Sequence, residues 1–178
     1  DELEEKYADF PGLNLTFETR EGILKHCSGR NAAELGELGE RFLKKQQPSL
    51  EAQLTNLADE IAYNSHDVDD GLRAELIRIE QLNEVPLFCM QYQEVKQRYP
   101  DLSQRRTIHE VVRRLINCQA VDLVKTSNQR LKQVCPADLG AVRRQPQALI
   151  AFSDSMRELN HELKRFLRTH LYRHYRVH

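Results

Sequence analysis

No run of apolar residues in this 178-residue chain approaches the roughly 18 that a membrane-spanning helix needs, which excludes a transmembrane anchor within it. The first ten residues, DELEEKYADF, contain no secretory hydrophobic region and no initiating methionine. The chain is therefore expected to be a piece of a longer polypeptide, soluble and cytoplasmic. Cysteine is sparse and scattered. Cys27, Cys89, Cys118 and Cys135 form no Cys-x-x-Cys pair, so zinc-ribbon spacing is absent, and Cys89 and Cys118 sit in apolar stretches that suit buried thiols in a reducing compartment. A net charge of −1 gives no global electrostatic reason to expect nucleic acid or a membrane surface as partner. There is no internal repeat and no low-complexity tract.

What remains reads as an all-α chain, a helical bundle long enough for a substantial core. Leu15 to His26 suits a short helix closed by Ser28-Gly29-Arg30-Asn31, and the thin apolar signal from about 28 to 47 suggests a mobile loop. Pro48 and Ser49 open a long helix with Pro48 in its first turn, and Gly71 bends it before it runs on toward Asn83. Pro86 starts a helix through Tyr99, and another begins near Ser103 with Ile108, Val111, Val112 and Leu115 on one face. Val134 to Pro146 is a connector. Ser155 with Glu158 forms a capping box for a last helix ending near Tyr172.

The segment 59–70 concentrates chemistry. At about 100° per residue, Asp59, Tyr63, His66, Asp67 and Asp70 fall within roughly 100° of one another, while Leu50, Leu54, Leu57, Ile61 and Val68 lie opposite. No Lys or Arg occurs between Lys45 and Arg73, so these acids lack the local cations that exposed helices normally interleave with them. Two readings stand: one wall of an active site, whose missing cation is a metal or a distant Arg, or a solvated face. The last fourteen residues form a local basic end with Arg165, Arg168, Arg173 and Arg176 and no acid, as suits a helix C-terminus or an anion site.

The run from Gln47 to Gly71 resembles the bacterial deoxyguanosinetriphosphate triphosphohydrolase-like proteins of the HD superfamily of metal phosphohydrolases. Phe10 to His26 is similar to the helix that precedes it there, and Leu149 to His174 to the helical C-terminal part. The resemblance implies that 1–84 is the C-terminal part of the catalytic core and 85–178 an associated helical domain. In that family a divalent metal such as Mg or Mn is held by a His, an adjacent His-Asp pair and a later Asp that opens an Asp-x-x-x-Tyr-x-x-x-Asp pattern. Here the pattern is Asp59, Tyr63 and Asp67. The resemblance implies that Asp59 is a metal ligand, that Tyr63 packs on the deoxyribose, and that Asp67 accepts a hydrogen bond from its 3′ hydroxyl.

His66-Asp67 is not the name-giving pair, which precedes the Phe-Pro-Gly-Leu-Asn-Leu-Thr segment in the family. The metal therefore requires ligands outside this chain, no catalytic residue lies within it, and the chain alone is expected to be inactive. His66, Arg173 and His174 are lesser candidates for phosphate or accessory contacts. The implied reaction is attack of metal-activated water at the α-phosphorus of a deoxynucleoside triphosphate, releasing deoxynucleoside and triphosphate. A homo-oligomer is the expected assembly. The alternative function is a helical regulatory, oligomerisation or nucleic-acid-binding module without catalysis.

Overall fold

The computed structural model describes residues 7–9, 12–24, 27 and 29–173, and every regular element among them is a helix. In order these are α1 (Phe17–Ile23), α2 (Gly29–Glu34), α3 (Glu37–Leu43), α4 (Leu50–Arg73), α5 (Ile79–Leu82), α6 (Pro86–Arg98), α7 (Gln104–Val134), α8 (Leu139–Arg143) and α9 (Asp154–His170). The all-α expectation holds. None of these helices is long and apolar enough to cross a membrane. Two compact units divide the chain, one of 1–56 with 134–149, the other of 57–133 with 150–178. This partition differs from the boundary expected at 84/85, which concerned the domains of a longer protein.

In the first unit, Thr16 caps α1 by accepting from the Thr19 amide at 3.3 Å. The segment expected as a loop holds α2 and α3. Their apolar signal is thin because close backbone approach holds them together: a Cβ on Gly39 would lie 1.8 Å from the Ala32 carbonyl oxygen. The unit also buries charge. Glu21, 1% exposed, takes a 3.0 Å hydrogen bond from Arg143 Nη2 and pairs with Arg41 Nε at 3.1 Å. Burial pushes the Arg41 pKa down against the pull of Glu21, and the Phe42 ring lies 3.9 Å from its guanidinium carbon.

The cap of α4 is Ser49, whose Oγ accepts from the Ala52 amide at 3.2 Å, so Pro48 precedes the cap instead of occupying the first turn. Leu54, expected on the core face, is 47% exposed. The buried line there passes through Gln53, which donates to the Pro48 carbonyl and accepts from the Leu149 amide, both at 2.9 Å.

In the second unit, Val68, Ile77, Leu82, Leu87, Phe88, Val95, Val111, Leu115, Leu163 and Leu167 share one core. Helix α4 ends at Arg73 and does not run on toward Asn83. The amides of Leu76 and Ile77 turn back to the Gly71 carbonyl at 2.9 and 3.2 Å, with Glu75 left-handed at φ 56°. Helix α6 packs against α9. The N-cap of α9 is Ser153, not Ser155, because Asp122 on α7 accepts from both the Ser153 amide (2.9 Å) and hydroxyl (2.7 Å) while Ser153 Oγ caps Met156. Deeper between α7 and α9, buried Asn160 donates to Gln119 Oε1 at 2.7 Å, and Gln119 donates to the Leu115 carbonyl at 2.9 Å. A buried polar link of this kind fixes the register of two helices that apolar contacts alone would leave free to slide.

Candidate functional site

Helix α4 uses its circumference in three ways. Ile61, Ser65 and Val68 are buried on the core side. Glu60 and Asp67 lie along one edge and meet the end of the chain: Lys164 donates to Glu60 at 2.8 Å, and the Tyr172 phenol donates to Asp67 Oδ2. On both sides of this pairing residue number rises together, by seven on α4 and by eight along α9 and its closing turn. At about 1.5 Å per helical residue these are steps of similar length, so the end of α9 and the turn after it follow that edge of α4 in the same direction.

The remaining side carries most of the stripe expected from spacing. Tyr63 is 64% exposed, His66 and Asp70 are exposed, and Asp59 is partly buried. One-turn steps put Asp59, Tyr63 and Asp67 in a row, Asp67 being the member that borders α9. The local shortage of cations is met from a distance and from the helix end. Lys164 serves Glu60, while Arg73 pairs with Asp69 and approaches Asp70 at 3.9 Å. Arg173 is exposed in the turn after α9, and His174 lies outside the described residues, as do Lys25 and His26.

Tyr172 is the residue that periodicity did not single out. It follows α9, and its amide reaches the Leu167 carbonyl at 3.1 Å, which closes the helix and leaves the phenol within reach of Asp67. Burial, then the hydrogen bond to Asp67 and that carboxylate's charge, push the phenol up to about 12, so it remains a proton donor at any physiological pH. The only sequence signal was a tyrosine about two turns beyond a lysine, matching the spacing from Glu60 to Asp67.

As a metal site the described residues are insufficient. No group of three or more His, Cys, Asp or Glu among them is placed to hold an ion, and Asp59 alone offers too few oxygen ligands for a divalent cation of fixed geometry.

Comparison with known proteins gives first a class: the chain is homologous, along nearly its whole length, to proteins named as triphosphohydrolase-like hydrolases. It is 60% identical over 177 residues to the deoxyguanosinetriphosphate triphosphohydrolase-like protein of Bordetella pertussis, and 58% and 57% identical to those so named in Ralstonia pickettii and Thiobacillus denitrificans. Each alignment takes in 99% of this chain but only 46%, 45% and 47% of the relative, so the chain spans about half the length of the curated relatives it matches. No protein-family model matches.

Proposed function

We propose that this chain forms one wall of the nucleotide site in a longer deoxynucleoside triphosphate triphosphohydrolase, which converts a deoxynucleoside triphosphate and water to deoxynucleoside and inorganic triphosphate. The observation that carries the reading is the row Asp59, Tyr63, Asp67 on α4, within a chain 60% identical to a triphosphohydrolase-like relative. Burial of an apolar ring face against the sugar and a carboxylate acceptor for its hydroxyl are what a deoxyribose site needs. Tyr63, exposed and one turn from each acid, offers the ring, and a ring packed against C2′ leaves no room for a 2′ hydroxyl. Asp67 offers the acceptor.

Asp59 would contribute one carboxylate to a divalent metal whose other ligands come from outside these residues. Bound there, the metal would supply Lewis-acid chemistry at the phosphate. A single carboxylate does not constitute that site, so the chain by itself binds divalent metal weakly and leaves deoxynucleoside triphosphates intact. Manganese calorimetry on the 178-residue chain checks this, and micromolar affinity would contradict it.

The decisive experiment is Asp59→Ala in the full-length protein, with triphosphate release from dGTP as readout. Loss of at least a thousandfold in turnover is expected. Turnover within a few-fold of wild type would remove Asp59 from the site and the reading with it.

A further inference from the structure

We propose that Tyr172 is a positioning residue for the sugar, holding the Asp67 carboxylate in the orientation that receives the 3′ hydroxyl; this rests on the assignment of Asp67 under the proposed function. The hydrogen bonding of Asp67 points to it. The phenol donates to Oδ2 of Asp67, and Oδ1 has no hydrogen-bond partner among the described residues. A carboxylate has about four lone-pair positions on two oxygens, so one donor on Oδ2 fixes the group without exhausting it. An aspartate on an open helix face otherwise samples several rotamers, and each must be given up when a ligand binds.

The anchor of Tyr172 is itself rigid. Its neighbour Leu171 is buried in the core and would meet a Cβ on Gly71 at 3.2 Å, and the Tyr172 amide is tied to α9. Lys164 and Glu60 clamp the same edge two turns earlier. The donor therefore comes from a braced element, at the far end of the chain from the acceptor in sequence but beside it in space. The raised pKa of the phenol keeps it a donor throughout the working range. Oδ1 is left as the acceptor, on the same helix as Tyr63 and one turn beyond it.

The hydrogen bond to the 3′ hydroxyl exists in the ground state and in the transition state alike, so disturbing it raises KM and leaves kcat nearly unchanged. The test is steady-state kinetics of the full-length protein with dGTP and with 2′,3′-dideoxyguanosine triphosphate, in wild type, Tyr172→Phe, Asp67→Asn and the double variant. The proposal expects Tyr172→Phe to raise KM for dGTP about tenfold and to leave the dideoxy substrate within twofold, narrowing the preference between them. In the Asp67→Asn background it expects no further narrowing. Tyr172→His, which retains a donor, should recover part of the preference, and it also covers the case in which the Phe variant folds poorly.

If Tyr172→Phe weakens both substrates equally, or lowers kcat instead of raising KM, Tyr172 is a structural brace only and the proposal is overturned. If Asp67→Asn narrows the preference and Tyr172→Phe does not, positioning fails while the assignment of Asp67 survives. If Asp67→Asn leaves the preference intact, the assignment of Asp67 fails and the positioning role falls with it.

Discussion

Gly71→Ala should destabilise the second unit, although the same change at most helix positions stabilises. Glycine in a helix interior costs about 1 kcal/mol relative to alanine, so propensity alone favours the substitution. Packing opposes it. A Cβ at 71 would stand 2.8 Å from Ile77 Cδ1, 2.9 Å from Ile77 Cγ1 and 3.2 Å from Leu171 Cδ1, whereas ordinary contact begins at 3.4 Å. Ile77 must retreat by 0.6 Å and Leu171 by 0.2 Å, and both would have to move within the core, being 1% and 7% exposed. Overpacking of a closed core costs about 1–3 kcal/mol. Taking about 2 kcal/mol and subtracting the propensity gain leaves a net loss of about 1 kcal/mol.

Urea unfolding followed by far-UV circular dichroism measures this, with Gly71→Ala, Ile77→Ala and the double variant as a cycle. Ile77→Ala removes both of the nearest obstructing atoms, so the double variant should be more stable than the sum of the single changes predicts, by about 1–2 kcal/mol. A Gly71→Ala protein more stable than wild type, or a cycle that closes to zero, would refute the close-approach argument. Because Leu171 adjoins Tyr172, the same variant should also loosen the contact of Tyr172 with Asp67.

Two other outcomes follow from single interactions. Asn160→Ala should cost about 3 kcal/mol, since it strands the buried Gln119 Oε1 and removes packing, while Asn160→Leu with Gln119→Leu together should cost less than the single change; a loss below about 0.5 kcal/mol in urea unfolding of Asn160→Ala would show that the pair carries nothing. The Tyr172 phenol, raised to about 12, retains its proton in the folded state above the ordinary value near 10, so its contribution to stability is present below about pH 10 and is lost as pH rises through about 12. Subtracting the 295 nm titration of Tyr172→Phe from that of wild type should isolate an ionisation near 12, and a difference curve centred at 10 would dismiss the hydrogen bond.

The helices that sequence revealed best are those whose burial follows a single stripe. Pro86 at the first residue of α6 and the Val111 and Leu115 spacing on α7 needed only local rules, and the outward stripe on α4 needed only the 100° step. What stayed hidden depends on partners far away in the chain. Ser153 outcompetes Ser155 as the cap of α9 because Asp122, 31 residues earlier, orders it, and no pattern within the helix records that. Helices α2 and α3 were invisible because glycine at 39 reports nearness of backbone, which in sequence looks the same as a weak helix. The end of α4 at Arg73 is hidden in the sequence for a related reason: Gly71 reads locally as a bend but acts as the acceptor of a closing turn and as the seat of Ile77. At the candidate site, the row Asp59, Tyr63, Asp67 was legible, whereas the phenol of Tyr172, 105 residues from Asp67, was not.

Charge alone does not distinguish an active-site wall from a wet face on α4. Like charges one turn apart on an exposed helix cost only tenths of a kcal/mol, a strain that a soluble surface tolerates without any ligand. Stability and activity do separate the two. A partly buried helical aspartate replaced by alanine exchanges a modest interaction for better helix propensity, so Asp59→Ala should shift the unfolding free energy of the chain by no more than about 1 kcal/mol. A residue kept for folding would show the opposite balance, with stability lost and turnover reduced only in proportion to the folded fraction. The proposed site therefore demands two results from one substitution: near-native stability in the chain and abolished triphosphate release in the full-length protein. Loss of activity accompanied by a drop of several kcal/mol in stability would make Asp59 a structural residue, and α4 would then present nothing to the nucleotide that its fold does not already require.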